Sequence, residues 1–410
     1  MNFNSLAIKV ASRCNLNCSY CFMYNLGDTT YKKQPKFMST KIVDNIINKT
    51  KKYIQEYNKK EFSFLFHGGE PLLAPKQFFI DFTSKVKEIQ NELNDVVFSF
   101  DLQTNGVLLD ESWIRLFKEL NISPSVSVDG TQKAHDMFRV DHKGNGSYND
   151  VFKGVTLLKK EMNFADIACV INVKETPLEV YNSFKKMRVS YVNFLIPDYT
   201  HNSYPFNKEK TIMGDWLIEL FNIWVNDSQR YKIPIFIGLL NSLTMLNENP
   251  INESTVLVIE TNGEIEAIDS LKACGHGFTK TGFNIKDNSF QDIKKTSLGK
   301  LYFNNINSKL CKQCQECPLN VICKGGRLVH RYSKENGFNN PSVYCKDLIK
   351  LIAHIQGYFI SCFPDLHEKE NVEKINPTEI INYLDSTDFN KNFFYKKELE
   401  SFSEKNMIIA

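Results

Sequence analysis

A chain of 410 residues with 42% apolar and 12% aromatic content can bury a substantial core, which excludes global disorder and suits one large or two medium domains. A formal net charge of +3 gives no strong field, so neither nucleic acid nor an anionic membrane is expected as the principal partner. The start Met1-Asn2-Phe3-Asn4-Ser5 is not a basic stretch leading into an apolar one, and no apolar run approaches the ~20 residues that span a bilayer, so a cytoplasmic protein is expected.

From residue 6 to about 197, short β-branched apolar segments alternate with longer segments of helical period, the pattern of βα units around a parallel sheet. Strands are expected at 6–11, 62–66, 96–102, 125–128, 166–173 and 191–196. Between the first two, Ser39 is an N-cap candidate, and Ile42, Val43, Ile46, Ile47, Ile54 and Tyr57 trace one apolar helix face. Six units make an α/β fold of the open (β/α)6 barrel type, in which chemistry gathers at the C-terminal strand ends. Four notable segments fall there: the Cys14–Cys21 loop, His67-Gly68-Gly69-Glu70-Pro71, Gln103-Thr104-Asn105-Gly106 and Asp129-Gly130.

Helical stretches follow at 216–225 and 236–246, then a hairpin over 256–268 that turns at Asn262-Gly263. Six of the eleven cysteines are concentrated between Cys274 and Cys345, which indicates a loop-rich unit organised by metal instead of by disulfides. Beyond about 365 the chain is polar, with weak helical patterning at 377–384. The expected divisions are 1–210 for the barrel, 211–255 for a helical connection, 256–365 for the cysteine-rich unit and 366–410 for the tail. Thirteen residues precede Cys14, too few for a separate leader-binding winged helix at that end.

Cys14-x3-Cys18-x2-Cys21 offers three thiolates on one tight loop and withholds a fourth. Three protein ligands on a four-iron cluster leave one iron open to a small molecule, whereas zinc sites build from two-ligand knuckles. The loop resembles that of the radical S-adenosylmethionine (SAM) superfamily, where a 4Fe-4S cluster is completed by SAM. The resemblance implies that Gly68 and Gly69 approach the SAM methionine through their backbone and that Glu70, helped by Gly69, receives its amine. Gln103, Asn105, Ser127 and Asp129 are similar to residues lining the SAM pocket in that family, with Ser127 and Arg139 matched to ribose and carboxylate. A plain strand-to-helix turn and ordinary polar strand ends are the alternative for these positions.

Cys314-x2-Cys317-x5-Cys323 followed by Cys345 resembles the SPASM domain of peptide-modifying members, which implies at least one auxiliary 4Fe-4S cluster; a zinc ribbon is the alternative. The chain departs from that pattern at Arg327, where a further cysteine is usual, and at Gly282-x4-Asp287, where the last position is usually cysteine. Cys274 and Cys311 are left as candidates for a second auxiliary site. Cys169 reads as a buried small hydrophobe and Cys362 is unassigned.

Residues 21–28, 195–201 and 330–345 are similar to the SPASM maturases that form three-residue cyclophanes in ribosomally made peptides. That likeness implies a precursor peptide as substrate, SAM cleavage to a 5′-deoxyadenosyl radical, and closure of a Cβ onto an aromatic ring. A reductant such as flavodoxin or ferredoxin would supply the first electron. Asp198, His201 and His330 are the candidate proton acceptors, His330 alternatively tuning the auxiliary cluster. A thioether-forming maturase, an anaerobic sulfatase-activating enzyme that oxidises Cys or Ser, and a non-catalytic cluster- or zinc-stabilised peptide-binding module remain alternatives.

Overall fold

The computed structural model describes residues 3–93, 95–244, 256–303, 310–365 and 372–387. Residues 245 and 246 of the second expected helix, the rest of the connection to 255, and most of the polar tail lie outside them.

Six βα units run in chain order: β1 (Ser5–Ala11), α1 (Thr40–Tyr57), β2 (Glu61–Gly68), α2 (Lys76–Leu93), β3 (Val97–Thr104), α3 (Glu111–Leu120), β4 (Ile122–Ser127), a short α4 (Gln132–Asp136), α5 (Tyr148–Met162), β5 (Asp166–Val170), α6 (Pro177–Met187) and β6 (Tyr191–Leu195). The strands pair in parallel and in sequential order, β6-β5-β4-β3-β2-β1. Local sequence explains the punctuation. Asp110 caps α3 by accepting from the Trp113 amide at 2.9 Å, and Asn58, Asn121 and Asn163 end α1, α3 and α5 in the left-handed conformation that asparagine tolerates. Ser39 takes the N-cap position of α1, but its side chain makes no cap hydrogen bond.

Alternation along β2 sorts its side chains onto two faces. Phe62, Phe64 and Phe66 are buried under the helices, where Phe64 and Phe66 meet Phe82 of α2 at ring-centroid distances of 5.1 Å. Ser63, Leu65 and His67 take the opposite face. The expected boundaries shift by a few residues; β4 begins at Ile122, three residues early, and Pro124 within it pairs with Leu102.

After α7 (Ile212–Val225) and α8 (Pro234–Leu243), the hairpin forms from β7 (Val256–Ile259) and β8 (Glu264–Glu266), and β9 (Lys280–Asn284) follows. The sheet does not stop at the barrel. β7 pairs in parallel with β1, and β8 and β9 extend the same nine-stranded sheet antiparallel. Short helices α9 (Ser297–Phe303), α10 (Lys312–Glu316) and α11 (Asn320–Cys323) carry the cysteine-rich segment. The long α12 (Cys345–Cys362) packs back on α7, and α13 (Pro377–Ser386) covers α12.

Candidate active site

The loop after β1 carries the three clustered cysteines. Its curl is held by the Cys21 amide donating to the Cys18 carbonyl at 3.0 Å, and its flank by the Asn17 and Ser19 amides donating to Val140 and Phe138 at 2.7 and 3.0 Å. Cys14, Cys18 and Cys21 are free thiols. Burial pushes Cys14 up to about 12 and Cys21 to about 11 and raises Cys18, so a metal binding here would displace protons.

The loop after β2 is laced to that one. The Gly69 amide donates to Ala11 at 2.8 Å and the Glu70 amide to Arg13 at 2.9 Å. A Cβ on Gly68 would meet the Ala11 carbonyl oxygen at 2.3 Å, and Gly68 lies at φ +144°, so no side chain fits. A Cβ on Gly69 would meet the Arg13 carbonyl oxygen at 2.3 Å.

Glu70 is turned onto β3. Its carboxylate accepts from the Leu72 amide at 3.0 Å, the Asn105 amide at 2.7 Å and the Thr104 hydroxyl at 2.7 Å, while burial lifts it to about 7. An amine reaching Glu70 would have to share these oxygens. Gln103 donates to the Ser127 hydroxyl at 2.9 Å, and the Asn105 amide group reaches Asn15 at 2.7 Å and the Cys14 sulfur at 3.6 Å. Asp129 lies deeper, accepting from the Val170 amide at 3.0 Å and from the Tyr20 hydroxyl, to which Arg139 donates at 2.7 Å.

These loops surround a cavity of about 440 Å³. Cys14, Cys18, Cys21, Gly68, Gly69, Gln103, Asn105, Ser127, Arg139 and Asp198 line it, and Glu70 and Asp129 stand behind its wall. His201 is not on the wall; its Nε2 lies 2.9 Å from the Pro341 carbonyl oxygen. His330 is also off the wall, packed against the Tyr344 ring with its Nε2 3.8 Å from Asp198, and burial holds its imidazole well below the usual range. Tyr20, Met23, Tyr24 and His67, which the sequence placed in notable segments without an individual role, are also on the wall. The charged Lys9 inside an apolar strand was the available signal for His67, because a buried ammonium needs neighbours.

Residues 8–183 match the model of the radical SAM superfamily. The chain is 30% identical over 370 residues to a cysteine-type anaerobic sulfatase-maturating enzyme of Clostridium novyi, covering 83% of this chain and 92% of that one. The chain belongs to the radical SAM superfamily. A serine-type anaerobic sulfatase-maturating enzyme of Bacteroides thetaiotaomicron is 27% identical over 406 residues, covering 92% and 93%. Among solved structures, native anSMEcpe with bound AdoMet superposes with a TM-score of 0.73 at 25% identity, covering 87% of this chain and 98% of that one.

SAM and a 4Fe-4S cluster are thus the cofactors of this radical SAM enzyme. Its residues fit them: three free thiols converge on one cavity wall, and Arg139, also on that wall, keeps a buried Nε with no hydrogen-bond partner. Cys314, Cys317, Cys323 and Cys345 meet around a small second cavity between α10, α11 and the start of α12. Burial raises the Cys323 thiol to about 11 and Cys345 well up. Cys311 packs beside Cys314, whereas Cys274 sits in a separate apolar cluster with Leu271, Leu328 and Phe338. No helix among the described residues is long and apolar enough to cross a membrane.

Proposed function

We propose that this radical SAM enzyme oxidises a cysteine or serine side chain in a peptide or unfolded segment, the reaction class of sulfatase maturation. The carrying observation is the match over nearly the whole chain to anSMEcpe, which has also been solved with AdoMet and the Cp18Cys peptide at the same TM-score of 0.73. In this reading Cys14, Cys18 and Cys21 hold the first cluster, the Gly68–Gly69 backbone meets the SAM methionine, and Gln103, Asn105, Ser127 and Arg139 surround the rest of SAM. Cys314, Cys317, Cys323 and Cys345 hold an auxiliary 4Fe-4S cluster. Residues 1–210 then act as the radical-generating unit, 211–255 as the connection, 256–365 as the auxiliary-cluster unit and 366–410 as the tail, the first and third sharing one sheet.

Bound together, SAM and the reduced cluster supply a 5′-deoxyadenosyl radical that removes hydrogen from a substrate carbon. The chain has to hold the target Cβ–H at near-attack distance, ~3 to 3.5 Å, and keep water away. Phe22, Met23, Leu195, Ile196 and Pro197 give the cavity apolar walls for that purpose. Loss of one hydrogen atom, one further electron and one proton would turn a serine CH2–OH into an aldehyde, and a cysteine CH2–SH into a thioaldehyde that water converts to the aldehyde with release of hydrogen sulfide; an auxiliary cluster held by Cys314, Cys317, Cys323 and Cys345 would take the electron, and Asp198 is the sequence-named proton acceptor that lines the cavity. His201 and His330 act around it through the loops they pin.

A second reading, closure of a Cβ onto an aromatic ring, draws on Asp198 and Tyr199 of the cyclophane-like segment lining the cavity and on Arg327 standing at a usual cysteine position. Reconstituted enzyme given SAM, a reductant such as flavodoxin, and Cp18Cys or its serine counterpart separates the two. A carbonyl captured by a hydrazide supports side-chain oxidation. SAM cleavage with no carbonyl, and a ring–Cβ bond in an aromatic-x-x peptide, overturns it in favour of the crosslink.

A further inference from the structure

His67 closes the β1 side of the cavity. It is the register partner of Lys9 across the β1–β2 pair, on the face away from the phenylalanines. Lys9 is 1% exposed, and its ammonium is surrounded: Nζ lies 3.1 Å from His67 Nδ1 and 3.6 Å from the Met23 sulfur, and forms an ion pair with Asp269. An ammonium has donors only, so Nδ1 accepts and the imidazole proton resides on Nε2. Asp269 belongs in turn to a buried network in which Lys272 meets Glu260 at 2.6 Å, Glu266 at 3.1 Å and Asp269 at 3.6 Å. Burial and the adjacent Lys9 depress His67 to about 3, consistent with a ring that stays neutral.

His67 therefore presents one N–H donor to the wall, in one tautomer, on an uncharged ring. Such a donor suits an uncharged acceptor. Gln103, Asn105, Ser127 and Arg139 come from β3 onward, whereas His67 lies toward β1 and the Asp269 segment. An ammonium such as the SAM amine cannot accept from it, but a peptide carbonyl can. We propose that His67 binds the substrate peptide, donating from Nε2 to a backbone carbonyl oxygen beside the residue that is oxidised. The inference rests on the peptide reading given above.

The full-length enzyme with its clusters reconstituted, saturated with SAM under anaerobic conditions, is titrated with fluorescently labelled Cp18Cys and Kp18Cys peptides. His67→Leu should weaken peptide binding roughly tenfold, the cost of an unmade buried hydrogen bond, with SAM affinity at the parent value. His67→Gln, whose amide still offers N–H, should recover most of that loss, which a merely structural role would not produce. Parent-like peptide affinity in His67→Leu overturns the inference, as does equal weakening of SAM and peptide, or failure of glutamine to rescue. A parent enzyme that cleaves SAM yet binds neither peptide overturns the peptide reading, and this inference with it.

Discussion

Arg327 donates to Asp198 at 2.6 Å, joining the loop after β6 to the cysteine-rich segment at the wall of the cavity. A guanidinium thus occupies the position where the SPASM pattern carries a thiolate, and it is engaged with a carboxylate. Arg327→Gln should leave iron content at the parent level, because no ligand is removed, while lowering peptide turnover several-fold by loosening the wall. Iron quantification and product assay check both; a loss of about four irons would instead place this position in a cluster site.

Beneath the first cysteine loop, the buried Arg139 and Asp129 are joined through the Tyr20 hydroxyl by hydrogen bonds. Removing the cation leaves a carboxylate buried without a counter-charge, a change that costs ~3–5 kcal/mol. Arg139→Leu should destabilise the fold by that order, and Arg139→Leu with Asp129→Asn should recover a large part of it. Chemical denaturation of single and double variants measures the coupling; additive effects would show that the two charges do not interact.

Much of this architecture is legible in the sequence because its signals are local. The strand-helix alternation places β1 to β6, the cysteine spacing marks both thiol groups, and Asn262-Gly263 marks the turn between β7 and β8. What escaped depends on side-chain direction and on pairing between distant segments. Glu70 follows the two glycines, yet its carboxylate also accepts from Thr104 at the end of β3 and from Asn105 just beyond it, donors that its own neighbourhood does not reveal. His67 emerges as a wall residue only when β1 and β2 are in register, which sets Lys9 beside it. The hairpin reads as the opening of a separate unit, but β7 adds to β1 because Leu257 and Ile259 present buried apolar side chains at the free edge of the barrel sheet. Likeness to cyclophane-forming enzymes in three flanking segments was outweighed by similarity to sulfatase-maturating enzymes over 83% and 92% of the chain.

The two thiol groups should load independently. Replacing Cys14, Cys18 and Cys21 by Ala should abolish SAM cleavage and remove about four irons, leaving the absorbance of the four-cysteine centre. Cys345→Ala should do the reverse, retaining SAM cleavage and losing oxidised peptide, provided the variant remains folded. Formation of 5′-deoxyadenosine by the triple variant would remove these cysteines from the chemistry.

Asp347 ties α12 to α7 by accepting from the Gly214 amide at 2.8 Å. Burial lifts its carboxyl from 3.8 to about 6 despite that bond, so the folded state holds its proton where the unfolded chain has lost it. The stabilisation is full below pH 3.8 and is lost as pH rises through about 6. Asp347→Asn, which keeps an acceptor for Gly214 but cannot ionise, should lose less stability than the parent between pH 5 and 6.5, by an amount of order 1–2 kcal/mol. Thermal unfolding across that range is the measurement; parallel curves for the two proteins would contradict the assignment.

Lys272 sits where a cation of another kind could. The ligand oxygens of Glu260, Glu266 and Asp269 lie within 4.8 Å of one another, all three residues are buried, and the Lys272 ammonium fills the space between them. Their charges hold that lysine well above its ordinary value, against the opposing effect of burial, so it is an ammonium at neutral pH. Lys272→Met should be strongly destabilising, by ~3–5 kcal/mol, because three carboxylates lose their central counter-charge without gaining room for a replacement. Lys272→Ala opens the same space, and three carboxylate oxygens at that spacing suit a hard divalent ion coordinated at ~2.3–2.6 Å. Calcium should therefore raise the melting temperature of Lys272→Ala and leave the parent unmoved, with reversal by a chelator under conditions that spare the iron centres. No calcium response in the variant would mean that the carboxylates relax apart once the ammonium is gone, and that the lysine holds the cage together instead of merely filling it; an equal rise in both proteins would place the calcium elsewhere.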